Sequence, residues 1–203
     1  DRLGDYSGAI ADLTKAIEIN PNYLPAYYLR GLMKDGLGDY SEAIVDYTKA
    51  IEINPNYLQA YINRGFSKYK LKDYYGAIAD YTKVLDINPN DADTFINRGG
   101  SKKDLGDYSG AIADYTKAIE INPNYFNANL GRGVAKYKLK DFYGAIADYT
   151  KVIGLNPNSA EAYYNRSISK ETLGDLNGAC ADRKKAVELG NTDAAGWVAK
   201  HCN

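Results

Sequence analysis

The chain has 203 residues, with 25 basic and 26 acidic side chains. A net charge near zero leaves no basic footprint for nucleic acid and no polybasic patch for a membrane surface. The apolar stretches are shorter than the roughly 20 residues of a membrane span and are interrupted by Lys, Asp or Glu.

No leader precedes Asp1 and the chain opens in mid-repeat, so it reads as an excerpt with a cytoplasmic location as the expectation. Residues 1–23 contain GDYSGAIADLTKAIEINPNY and read as an orphan second helix. The phrase returns as GDYSEAIVDYTKAIEINPNY from Gly38 to Tyr57, and further copies start at Lys72, Gly106, Lys140 and Gly174. The starts are 34 residues apart without insertion, and a fixed period in the range of about 20–50 residues marks a stacked array.

Within the phrase, Tyr40, Ala43, Ile44, Tyr47, Ala50, Ile51 and Ile53 fall at helical spacing and give one apolar face. Asp39 stands where an N-cap would, and Glu42 three residues later predicts a capping box. Asn54-Pro55 stops the helix, because the residue before proline is pushed out of the helical region. Between the phrases lie spacers such as NYLQAYINRGFSKYKLK, from Asn56 to Lys72, each ending in Leu-x-Asp. Each spacer predicts a first helix of about four turns, joined to the second by a tight turn.

Five full repeats follow the opening helix, at about 24–57, 58–91, 92–125, 126–159 and 160–191. The tail at 192–203 carries Ala194, Ala195, Trp197, Val198 and Cys202 and reads as a capping helix, since a stacked unit leaves an apolar face open at each end. YKLKDYYGAIADYTKV from Tyr69 recurs almost unchanged from Tyr137, so two flavours of repeat alternate.

These residues resemble the tetratricopeptide repeat: an aromatic, a Gly four residues on, then Ala-x-x-x-aromatic and a closing Pro. Tyr61, Gly65, Ala77, Tyr81 and Pro89 carry the pattern in the second full repeat, and essentially the whole chain follows it. The resemblance implies an all-α, right-handed α-solenoid of antiparallel helix pairs over residues 1–203, ended by the capping helix. The chain departs from the pattern with Arg30, Arg64, Arg98, Arg132 and Arg166 before the Gly position, and with Lys34, Lys68, Lys102, Lys136 and Lys170 after it. Each second helix carries a matched Asp at 46, 80, 114, 148 and 182, which predicts a structural ladder of ion pairs.

Catalytic signals are lacking. The single histidine, His201, sits beside Cys202, and adjacent residues form neither a nucleophile–base pair nor a metal site. No enzyme activity, metal or cofactor is expected. Cys180 and Cys202 read as small apolar residues in a reducing compartment, with a single bridge between the last repeat and the terminal helix as the alternative.

The remaining candidate is a surface. First helices carry a second stripe, offset by about 100° from the one that meets the second helix. It consists of Tyr28 and Leu32; Ile62, Phe66 and Tyr69; Ile96; Leu130, Val134 and Tyr137; and Tyr164 and Ile168. The resemblance implies that this side lines a concave groove that binds peptides; burial between successive first helices is the alternative. Asn63, Asn97 and Asn165 are the polar groove candidates. Tyr28 with Leu32, and Ile62 with Phe66, occupy the positions where chaperone-tail binders of the family clamp a carboxylate with Lys and Asn, so such a clamp is not expected. The expected function is a scaffold binding a peptide or protein segment, with no nucleic-acid or membrane partner. The alternatives are self-association through the uncapped first helix, or a repeat region appended to an enzyme outside this stretch.

Overall fold

The computed structural model describes residues 2–202, so Asp1 and Asn203, the expected ends of the first and last segments, lie outside the described residues. These residues form twelve α-helices and no strand, as the periodicity predicts. They divide into two compact units. The first holds α1 (Arg2–Ile19), α2 (Leu24–Leu37), α3 (Tyr40–Ile53), α4 (Leu58–Lys70), α5 (Tyr74–Ile87) and α6 (Ala92–Leu105). The second holds α7 (Tyr108–Ile121), α8 (Phe126–Lys138), α9 (Phe142–Leu155), α10 (Ala160–Thr172), α11 (Leu176–Glu188) and α12 (Ala195–His201). In each unit consecutive helices pack on one another, and first helices also touch the next first helix, as α2 does α4 and α8 does α10. This is an all-α solenoid architecture of helix pairs.

Second helices start and stop by local chemistry. Asp73, Asp107, Asp141 and Asp175 are N-caps, each accepting a 2.9 Å hydrogen bond from the N–H of the glycine three residues on. The capping box expected at Asp39 and Glu42 does not form: Asp39 makes no side-chain cap bond, and Glu42 instead faces the Lys34 ammonium at 3.4 Å. In the other copies of the phrase glycine stands at the Glu42 position. A Cβ on Gly76 would run into the Asp73 carboxylate in its capping position, and the same holds at Gly110, Gly144 and Gly178. A side chain at this position requires the carboxylate to shift from that pose; Asp91 and Ser159 still cap the N–H groups of Thr94 and Ala162, at 3.0 and 3.2 Å. At the other end, Asn54 turns extended (φ −134°, ψ 98°) before Pro55, and its Oδ1 accepts the Asn56 N–H at 3.0 Å.

The turn from first to second helix requires a left-handed residue. Gly38, Gly106 and Gly174 supply it, while the other flavour of repeat places Lys72 and Lys140 there at φ 64° and 65°. The Leu-x-Asp step is thus a C-cap followed by an N-cap.

Close approach sets the core. Gly31, Gly65 and Gly133 face the rings of Tyr47, Tyr81 and Tyr149; a Cβ on Gly65 would lie 2.9 Å from Tyr81 Cε1. Alanines at 26, 43, 60, 77, 111, 145 and 162 are fully buried and let neighbouring helices approach. In the last pair Arg183 replaces the ring, and Ser167, buried, replaces the glycine.

Cys180 and Cys202 are bridged, with their Cα atoms 5.5 Å apart, which corrects the reading of two free thiols. The bridge holds α12 on α11, where Ala179 and Ala194 are fully buried. Arg183 adds a second fastening. Its guanidinium lies 3.6 Å from the centre of the Trp197 ring and donates to Glu171 at 2.6 Å, while the Trp197 indole N–H donates to the same carboxylate at 2.9 Å. Burial opposes ionisation of Glu171, but these two hydrogen bonds outweigh it and hold its pKa below the ordinary value. His201 stacks on Trp197, with ring centres 4.6 Å apart.

Candidate functional site

A ladder of ion pairs fixes the first helices that carry the stripe. Arg64 donates from Nε and Nη2 to Asp80 at 2.9 and 2.7 Å, and Lys68 adds an ion pair to the same carboxylate at 2.8 Å. The third donor, Nη1, reaches Thr48 Oγ1 of the preceding second helix at 3.1 Å. Thr48 donates its own proton to the Ile44 carbonyl at 2.7 Å, so its oxygen is free to accept. The same set recurs at Arg30, Asp46, Lys34 and Thr14; at Arg132, Asp148, Lys136 and Thr116; and at Arg166, Asp182, Lys170 and Thr150. Arg98 Nη1 meets Thr82 at 3.1 Å. The carboxylates are buried and doubly paired, so the ladder is structural, and it also explains the lysines that depart from the repeat pattern. The threonines are visible in five of the six copies of the phrase, with Lys184 in that place in the last, but no apolar periodicity points to them.

In the first unit the stripe is partly used for packing. Tyr28, Leu32, Ile62, Asn63, Tyr69 and Ile96 are half-buried, while Phe66 and Asn97 are exposed. Tyr28 sets its ring edge-on to Tyr57 at 5.1 Å, and its hydroxyl accepts from Asn63 Nδ2 at 3.0 Å. Tyr69 donates to the Asp104 carboxylate, and that bond, with burial second, pushes its pKa up to about 12. The Lys70 ammonium sits 5.2 Å over the Phe66 ring. Asp35, which the sequence reading passed over, accepts from Tyr47 at 2.8 Å and from Ser67 at 2.7 Å, tying α2, α3 and α4 together. Burial raises the Asp35 pKa against the opposing effect of those two bonds.

In the second unit Leu130, Val134, Tyr137, Tyr164, Asn165 and Ile168 are all half-buried. Four of them, Val134, Tyr137, Asn165 and Ile168, come together with Lys138 and Tyr149 around an open pocket of about 170 Å³. Leu130 and Tyr164 do not line it. Lys138 falls four residues after Val134, on the same stripe, which is the signal that could have found it. Tyr149 comes from the second helix; burial, then the nearby Asp148, raises its pKa and keeps its hydroxyl protonated. Among the described residues no three His, Cys, Asp or Glu side chains gather as a metal site, and no helix is long and apolar enough to cross a membrane.

Three family models match the sequence. One described as TPR repeat covers residues 2–36 and 101–140; two described as tetratricopeptide repeat cover 25–57 with 58–91, and 126–159. No curated protein matches. Among solved structures, YrrB, a TPR protein with an unusual peptide-binding site, is similar at a TM-score of 0.77 and 22% identity over 93% of this chain and 97% of its own. A crystal structure of MamA gives 0.78 and 24% over 85% and 94% of the two chains, and yeast Tom70 gives 0.70 and 20% over 95% and 42%. At these identities the likeness speaks for the fold alone.

Proposed function

The chain belongs to the tetratricopeptide repeat family, and from that premise we propose that it is a non-catalytic scaffold that captures a peptide or protein segment along the stripe of its first helices. Such repeats are generally protein–protein interaction scaffolds, and arrays of this kind present surfaces assembled from neighbouring units. The observation that carries the reading is the pocket on α8 and α10, where four stripe residues converge on open space instead of closing on one another. Pockets that combine apolar walls with a few convergent polar groups are the usual form of a recognition site. The cytoplasmic placement loses one support with the Cys180–Cys202 bridge, since disulfides persist in oxidising compartments.

The test compares wild type with a Phe66→Ala/Val134→Asp variant as bait on beads, after circular dichroism has established equal helicity and melting. Proteins retained by wild type are expected to be lost from the variant; equal retention refutes the groove. Light scattering over a concentration series separates this reading from self-association, for which the mass rises with concentration.

A further inference from the structure

Three polar groups at the second unit's pocket have lost the internal partners that their counterparts have in the first unit. The counterparts lie whole multiples of 34 residues away. Asn63 spends its amide on the Tyr28 hydroxyl; Leu130 stands in the place of Tyr28, and the Asn165 carboxamide has no side-chain partner among the described residues. Tyr69 spends its hydroxyl on Asp104; Thr172 stands in that place and donates instead to the Ile168 carbonyl at 2.9 Å, leaving the Tyr137 hydroxyl without a hydrogen-bond partner among the described residues. Lys70 covers the Phe66 ring; Val134 stands there, and the exposed Lys138 ammonium makes no ion pair and sits over no ring among the described residues.

Of the carboxylates around the pocket, the exposed Glu161 acts on Tyr149 from the first turn of α10, and two others are already engaged. Asp148 is held by Arg132 and Lys136, and Glu171 by Arg183 and Trp197. The result is an apolar hollow walled by Val134, Ile168 and the Tyr149 ring, with a hydroxyl, a carboxamide and a cation unpaired at its edge. A volume of about 170 Å³ suits one Leu- or Phe-sized group, since a cavity of about 150 Å³ holds benzene.

We propose that this pocket takes an apolar side chain from an extended acidic peptide. An Asp or Glu next to that side chain meets Lys138 and the Tyr137 hydroxyl, and the peptide backbone meets the Asn165 amide. A carboxylate supplies what the site lacks: an acceptor for one N⁺–H and one O–H donor. The inference rests on the groove reading and adds the charge of the occupant.

The test selects a phage-displayed library of random peptides on wild type, on Lys138→Glu and on Val134→Asp. Lys138 is exposed, so its variant is expected to melt as wild type does. Wild type is expected to enrich peptides with an apolar residue flanked by Asp or Glu. Synthetic copies of these should bind Lys138→Glu about five- to tenfold more weakly by fluorescence anisotropy. Enriched apolar peptides without acidic bias, or a bias unchanged in Lys138→Glu, overturn this inference and leave the groove standing. No enrichment by wild type beyond Val134→Asp overturns both.

Discussion

Removing one rung of the ladder gives the sharpest test of the architecture. Arg64→Ala deletes two hydrogen bonds to Asp80 and one to Thr48. Asp80 is only 4% exposed, so its charge needs a partner. It is not wholly stranded, because the Lys68 ammonium remains 2.8 Å away. Breaking a buried pair outright costs about 3–5 kcal/mol; with one cation left, about 2–3 kcal/mol is expected. For a chain of this size that lowers the melting temperature by about 5–10 °C. Asp80→Ala should be worse, because it leaves two cations facing each other, and replacing Arg64, Lys68 and Asp80 together by apolar residues of similar volume should recover most of the loss. Thermal melts followed by circular dichroism decide the matter. An Arg64→Ala protein melting within about 1 °C of wild type, or an Asp80→Ala protein more stable than it, refutes the reasoning.

Gly65→Ala should destabilise by about 1–3 kcal/mol, read from denaturant midpoints, since its Cβ would meet the Tyr81 ring at 2.9 Å and core rings have little room to move. Reduction of the Cys180–Cys202 bridge, which closes a segment of 22 residues, should remove about 3 kcal/mol from the last repeat and raise hydrogen exchange in α12. Because the Glu171 pKa is lowered from its ordinary 4.5, its contribution is present above that value and is lost as pH falls through the lower folded one. The fluorescence of Trp197, the single tryptophan, should report this as an acid transition that Glu171→Gln abolishes.

Much of the fold was legible because each repeat writes its own boundaries. Asn-Pro ends a helix through sterics within two residues, and Leu-x-Asp marks a turn by local hydrogen bonding, so neither depends on the rest of the chain. Arg and Asp at one fixed offset in every repeat exposed the ladder for the same reason. The misreadings involve geometry that residue types leave open. Glu42 looks like half of a capping box, but its carboxylate turns to Lys34 and Asp39 makes no cap bond. Cys180 and Cys202 lie 22 residues apart in sequence, and only the docking of α12 brings them together. Stripe residues such as Val134 and Ile168 can be found by counting along a helix. Tyr149 cannot, because it reaches the pocket from the other helix of the pair. Nor does counting distinguish the satisfied Asn63 from the unsatisfied Asn165; that difference lies in Tyr28 and Leu130, one repeat away.

The threonine at the end of each arginine's reach has a consequence for how the molecule opens. A guanidinium that serves only its own repeat would stabilise that repeat in isolation. Here the third donor crosses to the repeat before, so part of each rung's energy belongs to the junction between neighbours. In a one-dimensional array, junction energy governs how far a disturbance spreads. Fraying of α4 must release Thr48 on α3 as well as Asp80 on α5. A lesion at Arg64 should therefore shorten the distance over which unfolding is concerted, and amide exchange would speed up one repeat upstream of the substitution.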